Sequence, residues 1–340
     1  MKLPLKSLLK YTALGALALV LALASALLYL KIHESRLVFA TERSRLHLLK
    51  ELPAEAERIA IPTADGTRLA GLVFPAADVD SGYWILLLHG NADSAFSPTQ
   101  VRHVEALRSV GFDVLSFDYR GFGESSGLAS ELNMYEDSAA ALRALLARGV
   151  PESRIVLLGH SLGSGPAVWL ALQHRVAALV LFGAFSSLPD AAVDRYPHLP
   201  VRHVAGVRFD SLARIPHVHS PVLIAHSPTD RVIAFAHAER LFAAAPEPKR
   251  LWPIDAPGDP YGGHVDALFQ HPAELRRALE ELIPALRTVP APQALPATVS
   301  GPPTAPTASA APAAFARPAA SAAPAASAPA TRPSKARLNP

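Results

Sequence analysis

The sequence predicts an α/β fold: a central, mainly parallel sheet with an antiparallel amino-terminal hairpin and helices on both faces. Three observations carry this. Short apolar runs recur between Arg58 and Arg287, and strands without polar alternation suit a parallel sheet covered on both sides. Segments with a helical apolar period separate those runs. The first two β-like runs, by contrast, are joined by the tight turn signal Ala64-Asp65-Gly66, which makes them a hairpin.

In chain order, strands are expected at Arg58–Thr63 and Thr67–Phe74 (the hairpin), then at Trp84–Leu88, Phe112–Phe117, Arg154–Leu158, Ala178–Phe182, Val222–Ala225 and Lys249–Ile254. Each is rich in Val, Ile, Leu or Phe and bounded by turn residues. Helices are expected at Val101–Val110, with Val101, Val104, Leu107 and Val110 on one side, and at Met134–Arg148, with Met134, Ala141, Leu142, Leu145 and Leu146 mostly on one side. Leu162–His174, Phe235–Ala245 and Pro272–Leu286 complete the strand–helix repeat, which implies parallel strands after the hairpin.

The ends differ from this body. Tyr11–Leu30 carries no charge, and about twenty helical residues at 1.5 Å each cross a hydrocarbon layer of about 30 Å. It is expected to be a single-pass membrane anchor (11–30) behind a basic segment (1–10) and ahead of a juxtamembrane linker (31–57). A cleaved signal peptide is the rival: Lys2, Lys6 and Lys10 precede the run, and Ala24-Ser25-Ala26 has the small residues of a cleavage site. The apolar run continues past that site, which favours retention. Basic residues stand on both sides, and the short basic amino terminus points to a periplasmic or otherwise extracytoplasmic body. Residues 289–340 are mostly Ala, Pro, Ser and Thr and are expected to be disordered.

Composition excludes some functions. The 340 residues carry a net charge of +3, but seven of the basic residues (Lys2, Lys6, Lys10, Arg317, Arg332, Lys335, Arg337) lie in the two ends, so the rest stands at +3 − 7 = −4. A mildly acidic body is unsuited to nucleic acid, which calls for a clustered basic face. There is no cysteine, which removes disulfides, thiolate metal sites and a catalytic thiol.

The chemistry concentrates in a few motifs. Gly159-His160-Ser161-Leu162-Gly163 has the form G-x-S-x-G and stands between a strand and a helix. A turn that tight tolerates almost no side chain at its flanks and leaves Ser161 exposed and strained at the helix amino terminus. A serine hydroxyl needs a base, and the chain order for this arrangement is Ser, acid, His. Asp230 ends the Val222 strand region, and His264 follows Gly262-Gly263. Ser161, Asp230 and His264 are therefore the expected nucleophile, acid and base. Donors for a developing oxyanion are expected from the amides of Asn91, in His89-Gly90-Asn91-Ala92, and Leu162. The alternative for Asp230 is a helix cap, with His264 a surface loop residue. His89, His160 and His226 read as structural, Asp266 as a helix cap, and Asp118 as the group that fixes the loop Tyr119–Gly123.

These residues, together with Asp118-Tyr119-Arg120-Gly121-Phe122-Gly123, resemble the α/β-hydrolase superfamily. Phe185-Ser186-Ser187-Leu188 and Phe209-Asp210-Ser211-Leu212 further resemble its small-lid, amino-terminally anchored branch of bacterial hydrolases and eukaryotic protein depalmitoylases. Ser227, where that branch usually has Gly, and the approach Gly258–Gly263 depart from the pattern. The resemblance covers about 32–286 and implies a two-step acyl-serine mechanism with no cofactor, and it places a lid at about 184–220, short enough here to imply an open, moderately apolar acyl pocket. The expected function is a serine hydrolase acting on a small-molecule or lipid acyl ester or thioester at a membrane surface. A peptidase of the same fold and a non-catalytic tethered scaffold are the alternatives.

Overall fold

The computed structural model describes residues 5–288, with side chains from Lys10 onward. The expected tail and the first four residues lie outside the described residues.

Eight strands form one sheet: β1 (Glu57–Pro62), β2 (Arg68–Phe74), β3 (Tyr83–Leu88), β4 (Phe112–Phe117), β5 (Ile155–His160), β6 (Ala178–Phe182), β7 (Val222–His226) and β8 (Lys249–Pro253). Their spatial order is β1-β2-β4-β3-β5-β6-β7-β8. The β1–β2 and β2–β4 pairs are antiparallel and all later pairs parallel. Every expected strand is present, with ends shifted by at most two residues. The expected antiparallel hairpin is β1–β2, paired from Glu57↔Val73 to Pro62↔Arg68.

Alternation within the buried strands divides the core. Leu86 and Leu88 of β3 and Ile155 and Leu157 of β5 face one apolar cluster, whereas Ile85, Leu87, Val156 and Leu158 face the other. The first cluster is covered by α4 (Glu131–Ala147), α5 (Ser164–Gln173) and α9 (Ala236–Ala244), the second by α3 (Pro98–Arg108) and α10 (Pro272–Leu282). Burial of both sheet faces is why these strands show no polar alternation. Between β6 and β7 lie three short helices, α6 (Leu188–Arg195), α7 (Val201–Val204) and α8 (Ser211–Arg214), where the lid is expected.

The amino-terminal helix differs from expectation in length. As α1 it runs from Leu5 to Val38, about 50 Å at 1.5 Å per residue. Lys31 ends the apolar stretch but not the helix, because no Gly or Pro stands between Leu30 and Val38. A Lys31–Glu34 ion pair at 3.1 Å joins successive turns there. Among the described residues this is the one helix long and apolar enough to cross a membrane, with a mean hydropathy of 2.4 in its best window. The segment that follows is packed rather than extended. Phe39 is buried, edge-on to Phe122 and Phe209. The short α2 (Thr41–Ser44) is tied to the loop after β4, where the Ser44 hydroxyl accepts from the Gly123 amide at 2.8 Å.

Candidate active site

The site lies at the carboxyl end of the central strand. β5 ends at His160, and the chain turns directly into Ser161, whose φ of +49° is in the left-handed region. A β-carbon on Gly163 would stand 2.1 Å from the Leu88 carbonyl oxygen, and one on Gly159 2.6 Å from the Gly163 carbonyl oxygen. Both positions therefore admit only glycine, the steric reason behind the G-x-S-x-G pattern. Left-handed backbone is uncommon at a non-glycine residue and marks stored strain.

The three side chains expected to act together are together. The Ser161 Oγ is 2.9 Å from His264 Nε2, and His264 Nδ1 is 2.7 Å from Asp230 Oδ2. His264 is 5% exposed and the Asp230 side chain 1%, while Ser161 borders a cavity. The Asp230 carboxylate divides its work. Its Oδ1 accepts from the amides of Val232 (2.7 Å) and Ile233 (2.9 Å) in the loop after β7, so it fixes that loop; it does not cap a helix, since α9 begins only at Ala236. Its Oδ2 faces His264 and, at 3.1 Å, His226 Nε2. Burial by itself would raise this carboxyl, but the adjacent His264 and the bonds from both histidines outweigh it and hold the group below the usual carboxylate range. With Oδ2 an acceptor, His264 carries its proton on Nδ1 and turns a bare Nε2 toward the serine.

The loop carrying His264 lies close against its neighbours. Gly262 and Gly263 have φ of +67° and +87°, and a β-carbon on Gly262 would sit 1.8 Å from the Thr229 carbonyl oxygen. The Ser227 hydroxyl, one of the two departures from the resembled pattern, is 3.0 Å from the Thr229 hydroxyl in the turn that follows β7. Gly183, at the end of β6, allows the imidazole in: its β-carbon would be 3.1 Å from the ring. Sequence reasoning missed Gly183, whose signal was a glycine directly after an apolar strand.

The histidines read as structural do hold structure. His160 Nε2 is 2.9 Å from the His264 carbonyl oxygen, and burial, with His264 and His103 nearby, lowers its pKa to about 3, so it stays neutral. His226 Nε2 lies 3.0 Å from the Ile233 carbonyl oxygen. Asp118, fully buried, accepts from Ser94 Oγ (3.0 Å) and the amides of Ala95 (2.7 Å) and Glu124 (2.8 Å), so it fixes the loop after β4 and the one after β3. Asp266 is not a cap. It makes no side-chain bond to the short helical turn it precedes. Its Oδ1 is instead 2.8 Å from His103 Nε2, whose ring stacks on Phe269 at 3.8 Å.

Asn91 and Leu162, the expected oxyanion donors, line one cavity of about 120 Å³ together with Ser161. Its other walls are apolar: Phe185, Leu188 and Ala192 from the lid side, Ile233, and Leu37 and Val38 from the end of α1. The expected open pocket is thus narrowed by the amino-terminal helix as well as by the lid. Glu34, one turn earlier on α1, accepts from the amides of Gly206 and Val207 of the lid segment.

The sequence model of the alpha/beta hydrolase fold family matches residues 83–239, a span that holds Ser161 and Asp230 and ends before His264. The chain is 35% identical over 262 residues to Rv2307c, an uncharacterized protein of Mycobacterium tuberculosis, covering 76% of this chain and 91% of that protein. It is 31% identical over 214 residues to alpha/beta hydrolase domain-containing protein 17B of Xenopus tropicalis, covering 61% and 72%. Among solved structures, the esterase domain of a Rhodothermus marinus protein aligns with a TM-score of 0.52 at 24% identity over 67% of this chain and 99% of that one. The Pyrococcus furiosus esterase Pf2001 aligns with 0.56 at 19% over 72% and 99%. At these identities the structural likeness is one of fold.

Proposed function

The chain belongs to the alpha/beta hydrolase family, and on that premise we propose that it is a serine hydrolase cleaving a carboxylic ester or thioester at a membrane surface. The observation that carries the reading is one imidazole bridging a hydroxyl and a buried carboxylate, with Nε2 at 2.9 Å from Ser161 and Nδ1 at 2.7 Å from Asp230.

In this reading the Ser161 oxygen attacks the acyl carbonyl as its proton passes to His264 Nε2. Asp230 stabilises the resulting imidazolium without taking the proton itself. The amides of Asn91 and Leu162 face the oxygen on which negative charge develops. Collapse of the tetrahedral adduct breaks the bond to the leaving alcohol or thiol, which departs with the proton from His264. Water then attacks the acyl-serine, His264 takes its proton, and the carboxylic acid is released with Ser161 restored. None of these steps calls on a cofactor.

The membrane part of the reading rests on α1. If 11–30 spans the bilayer, with 58–288 the hydrolase body, residues 31–38 carry the helix about 12 Å further. There Leu37 and Val38 are cavity wall. The anchor would then hold the acyl cavity at the level of the lipid surface on the extracytoplasmic side. The test is hydrolysis of p-nitrophenyl acyl esters against aminoacyl anilides by the full-length protein in detergent micelles. Ester turnover that disappears in Ser161→Ala is expected. Turnover of anilides alone would replace the esterase with a peptidase, and turnover of neither by folded protein would remove the hydrolase reading.

A further inference from the structure

The Asn91 side chain does something its proposed backbone role does not require. Its Nδ2 donates to the Val38 carbonyl oxygen at 2.8 Å, and its Oδ1 accepts from the Ala40 amide, also at 2.8 Å. Val38 is the last residue of α1, and its carbonyl is one of the four that a helix leaves without an internal partner. The carboxamide thus caps α1 from 53 residues away and grips the chain on both sides of Phe39. The same Oδ1 accepts from the Ala92 amide at 3.2 Å, and Ala92 sits at a φ of +63°. A left-handed alanine persists only where its surroundings impose it. Next to it, Gly90 lies against the nucleophile, since a β-carbon there would be 3.4 Å from the Ser161 Cβ.

The end of α1 is also held from other directions. Glu34 binds two amides of the lid segment, Phe39 is buried against Phe122 and Phe209, and Arg45 donates to the carbonyls of Gly121 and Gly123 at 3.0 and 3.2 Å. The Asn91 turn is therefore built against a rigid partner, and that partner is the amino-terminal helix.

We infer that the Asn91 carboxamide is a positioning group that fixes the direction of the Asn91 amide by fastening its turn to the end of α1, so that the oxyanion donor is in place only while the helix is seated. This rests on the serine-hydrolase reading and adds to it. The helix is then part of the catalytic arrangement as well as a tether, and whatever unseats it lowers turnover. The cause is misorientation: a donor moved by about 1 Å loses much of its effect on the transition state, on the order of 100-fold in rate.

The experiment uses the full-length protein in detergent micelles, with Asn91→Ala and Asn91→Asp compared by kcat and KM on p-nitrophenyl butyrate, and thermal unfolding as the check on folding. Asn91→Ala keeps the backbone amide and is expected to lower kcat about 10- to 100-fold with KM changed less than threefold. Asn91→Asp preserves the shape and the acceptor but cannot donate to Val38 when ionised, and it sets a negative charge against a helix carboxyl terminus. Its kcat relative to wild type is expected to rise as pH falls and the acid form regains a donor, a signature that a merely structural contact would not give. Wild-type kcat in folded Asn91→Ala, a loss confined to KM, or a pH-independent Asn91→Asp ratio overturns the inference while leaving the hydrolase reading intact. A wild-type protein that is folded and inert toward ester overturns both.

Discussion

Replacing Asp230 by asparagine has an outcome that the hydrogen bonds dictate. The Oδ1 position accepts from two backbone amides, Val232 at 2.7 Å and Ile233 at 2.9 Å. An asparagine must leave its oxygen there, since turning it round would set its NH₂ against two N–H donors. The NH₂ therefore occupies the Oδ2 position, 2.7 Å from His264 Nδ1. That nitrogen must then accept, which moves the imidazole proton to Nε2, facing Ser161 Oγ at 2.9 Å. A protonated Nε2 cannot take the serine proton. The equivalent amide replacement in a Ser-His-Asp protease lowers kcat about 10⁴-fold through the wrong tautomer. A loss of about 10³ to 10⁴ is expected here, about 4–5 kcal/mol in the barrier at 1.36 kcal/mol per tenfold. Because the backbone contacts to Oδ1 survive, Asp230→Asn should remain folded. The assay is steady-state hydrolysis of a p-nitrophenyl ester alongside thermal unfolding. A folded Asp230→Asn with kcat within tenfold of wild type would refute the role assigned to this carboxylate.

Three further outcomes follow from the geometry. The cavity of about 120 Å³ is bounded on one side by Leu37. Leu37→Ala should let in about two more methylenes at ~0.8 kcal/mol each, raising kcat/KM for octanoyl over butyryl ester about tenfold, and an unchanged ratio would contradict Leu37 as a wall. Burial lowers His160 from 6.5 to about 3, so below pH 6.5 the unfolded chain takes up a proton that the folded one refuses. The stability that neutral His160 supplies should accordingly be lost as pH drops from about 6.5 toward 3, while Asp137, which burial raises to about 6, works in the opposite direction below that pH; chemical denaturation across the range should therefore show His160→Gln losing less stability than wild type. Gly163→Ala would bring a β-carbon to 2.1 Å from the Leu88 carbonyl oxygen, a backbone clash worth on the order of 3 kcal/mol, which should appear as a lower denaturation midpoint.

Much of this site could be read from the chain because its signals are local. The turn at Ser161 is five consecutive residues whose glycines are sterically required, and the strands are apolar runs bounded by turns. Asp230 and His264 could be placed because a strand end and a glycine pair precede them. What escaped was non-local or carried no pattern. The continuation of α1 to Val38 was hidden because Lys31 ends a hydropathy signal while leaving helix propensity intact. The exchange of β3 and β4 in the sheet order leaves no mark on the strands themselves. From the sequence Asp266 reads as a cap, because its real partner, His103, is 163 residues away. The bonds of Asn91 to Val38 and Ala40 cross more than 50 residues, and no sequence period encodes them.

A fluorophosphonate reacts only with an alcohol that a neighbouring imidazole has made nucleophilic, and so reads the proposed Ser161–His264 pair directly. Full-length protein treated with the probe, digested and mapped by mass spectrometry should carry a single adduct on Ser161, and that adduct should be lost in His264→Ala. A folded protein with no adduct, or with label on another serine, would contradict the account.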